Sequence, residues 1–99
     1  MAGRRGAPGG DAPSERQRID KWLVYARFVK TRAAASLLVE DGGVRLNGVR
    51  MTRPDRAVQA GDVLTLALPH ATQVVRITGL AERRGGATVA QALYEDIGG

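Results

Sequence analysis

Asn47-Gly48 sits between Val44-Arg45-Leu46 and Val49-Arg50-Met51, and few dipeptides restrict a chain as tightly. Asn-Gly between alternating residues specifies a two-residue hairpin, because both central positions need a positive φ and these two residue types tolerate it. The turn fixes the register: Leu46 faces Val49, Val44 faces Met51 and Arg45 faces Arg50. The apolar pairs then share one side of the ladder and the two arginines share the other. Like charges directly across a ladder weaken it by roughly a few tenths of a kcal/mol, and a polyanion bound there would reverse that sign.

Helical periodicity precedes the hairpin. From Arg18, apolar residues fall at Ile19, Trp22, Leu23 and Ala26, the rhythm of one buried helical stripe, with Ser14 and Gln17 spaced as a capping box. Arg18, Lys21 and Tyr25 line up beside that stripe on an exposed face. Thr31 is the N-cap expected for a second helix, Arg32 to about Glu40, which buries Ala33, Ala34, Leu37 and Leu38, turns Arg32 and Ser36 outward and stops at Gly42-Gly43. Only Arg27 to Lys30 separates the helices, enough for a tight corner.

After the hairpin, Gly61-Asp62 turns into a strand Val63 to Leu68 with Leu64, Leu66 and Leu68 inward. Pro69 to Thr72 then turns back into a strand Gln73 to Leu80. Arg83 to Gly86 reads as loop, and Thr88 as the cap of a short helix with a Val89, Ala92 and Leu93 stripe. Residues 1–15, rich in Gly, Ala and Pro, read as a disordered tail before one domain over 16–99. The expected class is α+β: two N-terminal helices packed on a small antiparallel sheet of two hairpins, with a short C-terminal helix.

Composition narrows the chemistry. Ninety-nine residues exclude a large multi-domain enzyme, the absence of Cys removes disulfides and thiolate chemistry, and His70 is the single histidine, so no multi-histidine metal cluster can form. No metal, cofactor or catalytic residue is expected. No apolar stretch approaches the roughly 18 residues of a membrane helix, and Arg4-Arg5 followed by Gly6-Ala7-Pro8-Gly9-Gly10 is not the apolar core of a signal peptide. The chain reads as soluble and cytoplasmic. Its net charge is +5, and the excess is concentrated: residues 16–56 carry ten bases against four acids, whereas 57–99 carry a net of −1. Thirteen of the fifteen bases are arginine, whose planar fork suits phosphate oxygens. An acidic partner follows.

The stretch RIDKWLVYARFVKTR, Arg18 to Arg32, followed by EDGGVRLNGVR, Glu40 to Arg50, resembles the S-four-type RNA-binding domain, the alpha-L motif. The residues that carry the likeness are Arg18, Asp20, Lys21, Leu23, Thr31, Arg32, Gly42, Val44, Asn47 and Gly48, continued by Val58 and Gly61-Asp62-Val63-Leu64. They place a core motif at about 18–68 and an extension at 69–99. Trp22, Arg27-Phe28, Lys30-Thr31-Arg32 and Leu93-Tyr94-Glu95 resemble the branch of small heat-shock, ribosome-associated proteins. Two features depart from that branch: Val29 stands where it usually has an aromatic, and the sequence ends at Gly99 without the basic tail of longer members.

The resemblance implies a non-enzymatic protein that binds structured RNA, namely ribosomal RNA of the large subunit or peptidyl-tRNA, in the rescue of stalled large subunits under stress; a monomer is expected. The expected contact residues are Arg18, Lys21, Tyr25, Lys30, Thr31, Arg32, Arg45, Asn47 and Arg50. The N-terminal end of the second helix would be their phosphate site, with Arg45 and Arg50 flanking it from the hairpin. With four aromatics, recognition by shape and backbone is favoured over serial base stacking. Each residue also has a plain reading. The basic residues serve equally as solvated surface, Trp22 as core, Tyr25 as surface, Asp20 as a structural acid bonding a nearby backbone or Arg27, Thr31 as a cap, and Asn47-Gly48 as turn chemistry. Two other functions fit the same face: the RNA-binding appendage of a modifying enzyme of the pseudouridine synthase type, and a module that binds duplex DNA.

Overall fold

A computed structural model describes residues 15–81 and 87–98. The elements run β1 (Gln17–Arg18), α1 (Ile19–Tyr25), α2 (Arg32–Glu40), β2 (Val44–Leu46), β3 (Val49–Met51), β4 (Ala57–Val58), β5 (Val63–Ala67), β6 (Thr72–Ile77), α3 (Ala87–Gln91) and β7 (Tyr94–Gly98). The class is α+β, as expected. The segments expected to be a tail, 1–15 except Glu15, and a loop, Arg83 to Gly86, fall outside the described residues.

Helix α1 buries Ile19, Trp22, Leu23 and Ala26, the stripe its periodicity specifies. It does not start from a capping box. Ser14 lies outside the described residues, Gln17 belongs to β1, and Arg18 is the N-cap, its side chain making no capping bond to a backbone amide of the helix. The reason is tertiary: β1 pairs antiparallel with β4, Gln17 opposite Val58, and the first α1 amides find carbonyls of the adjoining loop, Ile19 N–H on Arg56 and Asp20 N–H on Pro54. Pairing across the chain thus takes over the work of a local cap.

Both helices end the same way. At α2 the Gly43 N–H reaches the Leu38 carbonyl and the Gly42 N–H that of Val39, with Gly42 at φ +81°. At α1 the Phe28 N–H reaches the Leu23 carbonyl and the Arg27 N–H that of Val24, with Arg27 at φ +66°. Each is a Schellman closure, but at α1 an arginine occupies the left-handed position that glycine fills at α2.

The α2 stripe departs from expectation. Ala35 and Val39 are buried and Leu38 is half-buried, whereas Ala33, Ala34 and Leu37 are exposed, Leu37 by 60%. Apolar residues occur on two sides of this helix, so periodicity alone could not decide which side the sheet would cover.

Five strands form one antiparallel sheet in the order β3-β2-β5-β6-β7. The β2–β3 hairpin has the register set by its turn, Val44 opposite Met51, Arg45 opposite Arg50 and Leu46 opposite Val49, with Asn47 at φ +53° and Gly48 at +84°. Val44, Leu46, Leu64, Leu66, Val75 and Ile77 make the buried face, packed with Ile19, Trp22, Leu23, Ala35 and Val39 of the helices. Trp22 is fully buried, its Nε1–H donating to the Gly79 carbonyl at 3.0 Å, and Phe28 and Tyr94 complete an aromatic cluster beside it.

The C-terminal part adds a strand absent from the sequence reading. Helix α3 spans Ala87–Gln91, so Thr88 lies inside it instead of capping it. Ala90 and Leu93 are buried while Val89 and Ala92 are exposed, and the chain then continues as β7 along β6.

Candidate nucleic-acid interface

The first turns of α1 and α2 meet at one buried carboxylate. Asp20 is 1% exposed, and its Oδ1 accepts from its neighbour's Lys21 N–H at 2.7 Å. Arg18 grips it with both arms, Nε to Oδ1 at 3.1 Å and Nη2 to Oδ2 at 2.8 Å, and Arg32 Nη2 reaches Oδ2 at 3.4 Å. The expected bond to a nearby backbone is the one from Lys21, and the guanidinium partners are Arg18 and, across the corner, Arg32 in place of Arg27. Both guanidiniums remain about half exposed, at 45% for Arg18 and 53% for Arg32. Two like charges are thus held side by side at the surface by an acid beneath them.

Burial alone would raise the Asp20 pKa. The Arg18 hydrogen bond, the Lys21 N–H and the charges of Arg18 and Arg32 outweigh it and hold the carboxyl below its ordinary range. The same bond raises the Arg18 guanidinium pKa.

Thr31 caps α2, its Oγ1 accepting from the Ala34 N–H at 3.1 Å, which leaves the hydroxyl hydrogen free to donate outward. Lys30 and Thr31 are exposed beside it, and Lys21 and Tyr25 are half-buried along α1. Of the helix-side members of the expected set, Arg18 and Arg32 meet on Asp20, Lys30 and Thr31 precede Arg32 at the start of α2, Lys21 follows Asp20 in α1, and Tyr25 packs against the core.

The hairpin arginines stand apart from it. Arg45 and Arg50 project from the sheet face opposite the helices, because Val44 and Leu46 on either side of Arg45 point into the core. Arg50 also runs back toward the C-terminal end of α2: a Cβ built on Gly42 would collide with its guanidinium. It is at the end of the helix that favours a cation, whereas Arg32 is at the other. The expectation that Arg45 and Arg50 flank the start of α2 is corrected accordingly. Exposed Asn47 engages its side chain in bonds within the chain, Oδ1 accepting from the Val63 N–H at 2.9 Å and Nδ2 donating to Asp62 at 3.2 Å.

Arg16 and Arg56 were not singled out by the sequence reading. They line a polar groove of about 480 Å³ together with Asn47, Gln59 and Asp62. The only sequence signal was their membership of the basic 16–56 segment, since the pairing of β1 with β4 that brings them together is non-local. Arg53 is bonded to Asp55 and holds that carboxyl below its usual range, while Arg76 is paired with Glu95. Among the described residues no three metal-ligating side chains converge, and no helix is long and apolar enough to cross a membrane.

Comparison with known proteins agrees with this arrangement. The sequence profile of the S4 domain matches residues 17–64, the stretch that contains β1, both helices, the hairpin and the Asp20 cluster. Heat shock protein 15 of Escherichia coli K12 is 38% identical over 86 residues, covering 87% of this chain and 64% of its own length, and the homologue of Aeromonas salmonicida is 42% identical over 79 residues, covering 80% and 59%. The chain thus spans about 60% of the length of these curated relatives. The solved trimeric structure of Vibrio cholerae heat shock protein 15 superimposes with a TM-score of 0.78 at 41% identity, covering 84% of this chain and 83% of that one. Shared motif, shared fold and identity along most of the domain have one explanation: the chain belongs to the S4-domain family, on its heat shock protein 15 branch.

Proposed function

We propose that this is a non-enzymatic, cytoplasmic RNA-binding protein that recognises structured ribosomal RNA or tRNA by shape and backbone. The observation that carries the reading is the pair of half-exposed guanidiniums, Arg18 and Arg32, gathered on buried Asp20 at the start of α2. Lys21, Tyr25, Lys30 and Thr31, near that pair in sequence, are the further contacts proposed on this side, and Arg45 and Arg50 supply a second cationic surface on the outer sheet face, with Asn47 fixing the turn between them. Planar guanidiniums presented side by side next to a helix N-terminus suit phosphodiester oxygens. Rescue of large ribosomal subunits stalled with peptidyl-tRNA, as part of a heat-shock response, is the biological role proposed, and it rests on the family.

Competition between tRNA and duplex DNA of equal length at moderate salt tests the reading. The RNA should displace the DNA. Equal displacement in both directions would favour the DNA-binding alternative.

A second reading concerns assembly. The sequence led to a monomer, but the Vibrio cholerae relative is trimeric, and α2 exposes Ala33, Ala34 and Leu37 beside an apolar groove of about 410 Å³ that includes Phe28, Val29, Leu38, Leu68 and Pro69. Exposed apolar surface of this kind favours self-association. Sedimentation equilibrium separates the two: a mass near 10.5 kDa supports the monomer, and a multiple of it the assembly.

A further inference from the structure

The helix-side cluster and the hairpin lie on different faces, and something must join them if one RNA is to touch both. We propose that the groove between β1–β4 and the hairpin tip is a second phosphodiester-binding site, with Arg16 and Arg56 as its phosphate ligands, and that it carries the RNA backbone from the Arg18–Arg32 pair to the hairpin. This rests on the RNA-binding reading above.

Four observations support it. Arg16 and Arg18 are two residues apart on an extended segment, with half-buried Gln17 between them, so the two arginines project to the same side, and Arg16 of the groove stands next but one to Arg18 of the Asp20 cluster. Among the described residues, the side chains of Arg16 and Arg56 have no carboxylate partner, unlike Arg18, Arg32, Arg53 and Arg76, so their charge is available. The far wall is held together by hydrogen bonds. Asn47 donates to Asp62 at 3.2 Å and accepts from Val63 at 2.9 Å, and Asp62 Oδ2 accepts from the Gln59 N–H at 3.0 Å. Finally, Asp62 sets the ligand class: two guanidiniums against one carboxylate leave a net of +1, which matches a singly charged backbone phosphodiester better than a doubly charged terminal phosphate. Concave walls with a net positive lining also focus the field on the site.

The test is the salt dependence of tRNA binding, followed by fluorescence anisotropy with the full chain. Each phosphate contact adds roughly 0.7 to 0.9 to the slope of log affinity against log salt. The double variant Arg16→Gln, Arg56→Gln should bind several-fold more weakly at moderate salt, with the slope shallower by about 1.4 to 1.8, and it should melt with the wild type because both side chains are exposed. Arg16→Lys with Arg56→Lys, which keeps the charges, should recover most of that slope. Inorganic phosphate should compete no better than chloride at equal ionic strength. Wild-type affinity and slope in the glutamine variant, with Arg18→Ala and Arg32→Ala still impaired, would overturn the groove site and leave the RNA reading standing. If the wild-type chain fails to bind tRNA or ribosomal RNA at all, both fall together.

Discussion

Arg32 Nη2 stands 3.4 Å from Asp20 Oδ2, a contact that ties the first turn of α2 to the first turn of α1 across twelve residues. The contact is long and half-exposed, so its contribution to stability is under about 1 kcal/mol. The charge it positions matters more for binding. Arg32→Ala should lower tRNA affinity and make the salt slope shallower by roughly 0.7 to 0.9, while the melting temperature moves by no more than a few degrees. A large loss of stability with unchanged binding would assign Arg32 to the fold instead.

Asp20 makes the acid side of stability predictable. Its folded pKa lies below the unfolded value of about 3.9, so the folded state holds its proton less readily. That stabilisation is complete above the unfolded pKa and disappears as pH falls through the folded one. Wild type should therefore exceed Asp20→Asn in stability at pH 7, and urea denaturation at successively lower pH should show the gap narrowing below about pH 4. A gap that widens on acidification would contradict the bonding described.

Arg27 sits at φ +66°, where a Cβ costs about 1 to 2 kcal/mol. Glycine relieves that strain but loses roughly 0.5 to 1 kcal/mol to the entropy of the unfolded chain. Arg27→Gly should therefore leave stability equal or raise it by up to about 1.5 kcal/mol, which thermal melting reads as a gain of about 4 to 8 °C per kcal/mol for a domain of this size.

Gly42 is the converse case. At φ +81°, with the Arg50 guanidinium packed against it, Gly42→Ala should destabilise by about 1 to 2 kcal/mol. Adding Arg50→Ala should restore only the part due to the collision, because the backbone strain remains. Denaturation of the single and double variants separates the two contributions.

What could be read in advance was what local chemistry decides. The hairpin register followed from Asn47-Gly48 because a type I′ turn leaves one pairing, and the buried side of α1 followed from Ile19, Trp22, Leu23 and Ala26 because no rival stripe existed. On α2, Ala33 and Leu37 compete with Ala35 and Val39, and only packing against α1 and the common core chooses between them. Strand β1 escaped notice because a two-residue pairing with Ala57–Val58 has no periodicity of its own. Tyr94–Gly98 lacks an alternating pattern, and it joins as an edge strand through register with β6. The placing of Arg18, Thr31 and Arg32 at the starts of the two helices was legible from helix position. The groove formed by Arg16 and Arg56 was not, since it exists only once β1 meets β4, and the reach of Arg50 toward Gly42 depends on how the hairpin folds back on α2.

Titrating isotope-labelled protein with tRNA and following the backbone amides by NMR tests the central claim most directly. Shifts should concentrate at residues 16–21, 30–33, 45–50 and 56–59, tracing a continuous path from the Asp20 cluster through the groove to the hairpin. Shifts confined to β6 and β7, or none at tRNA concentrations that shift other RNA-binding domains, would contradict the account.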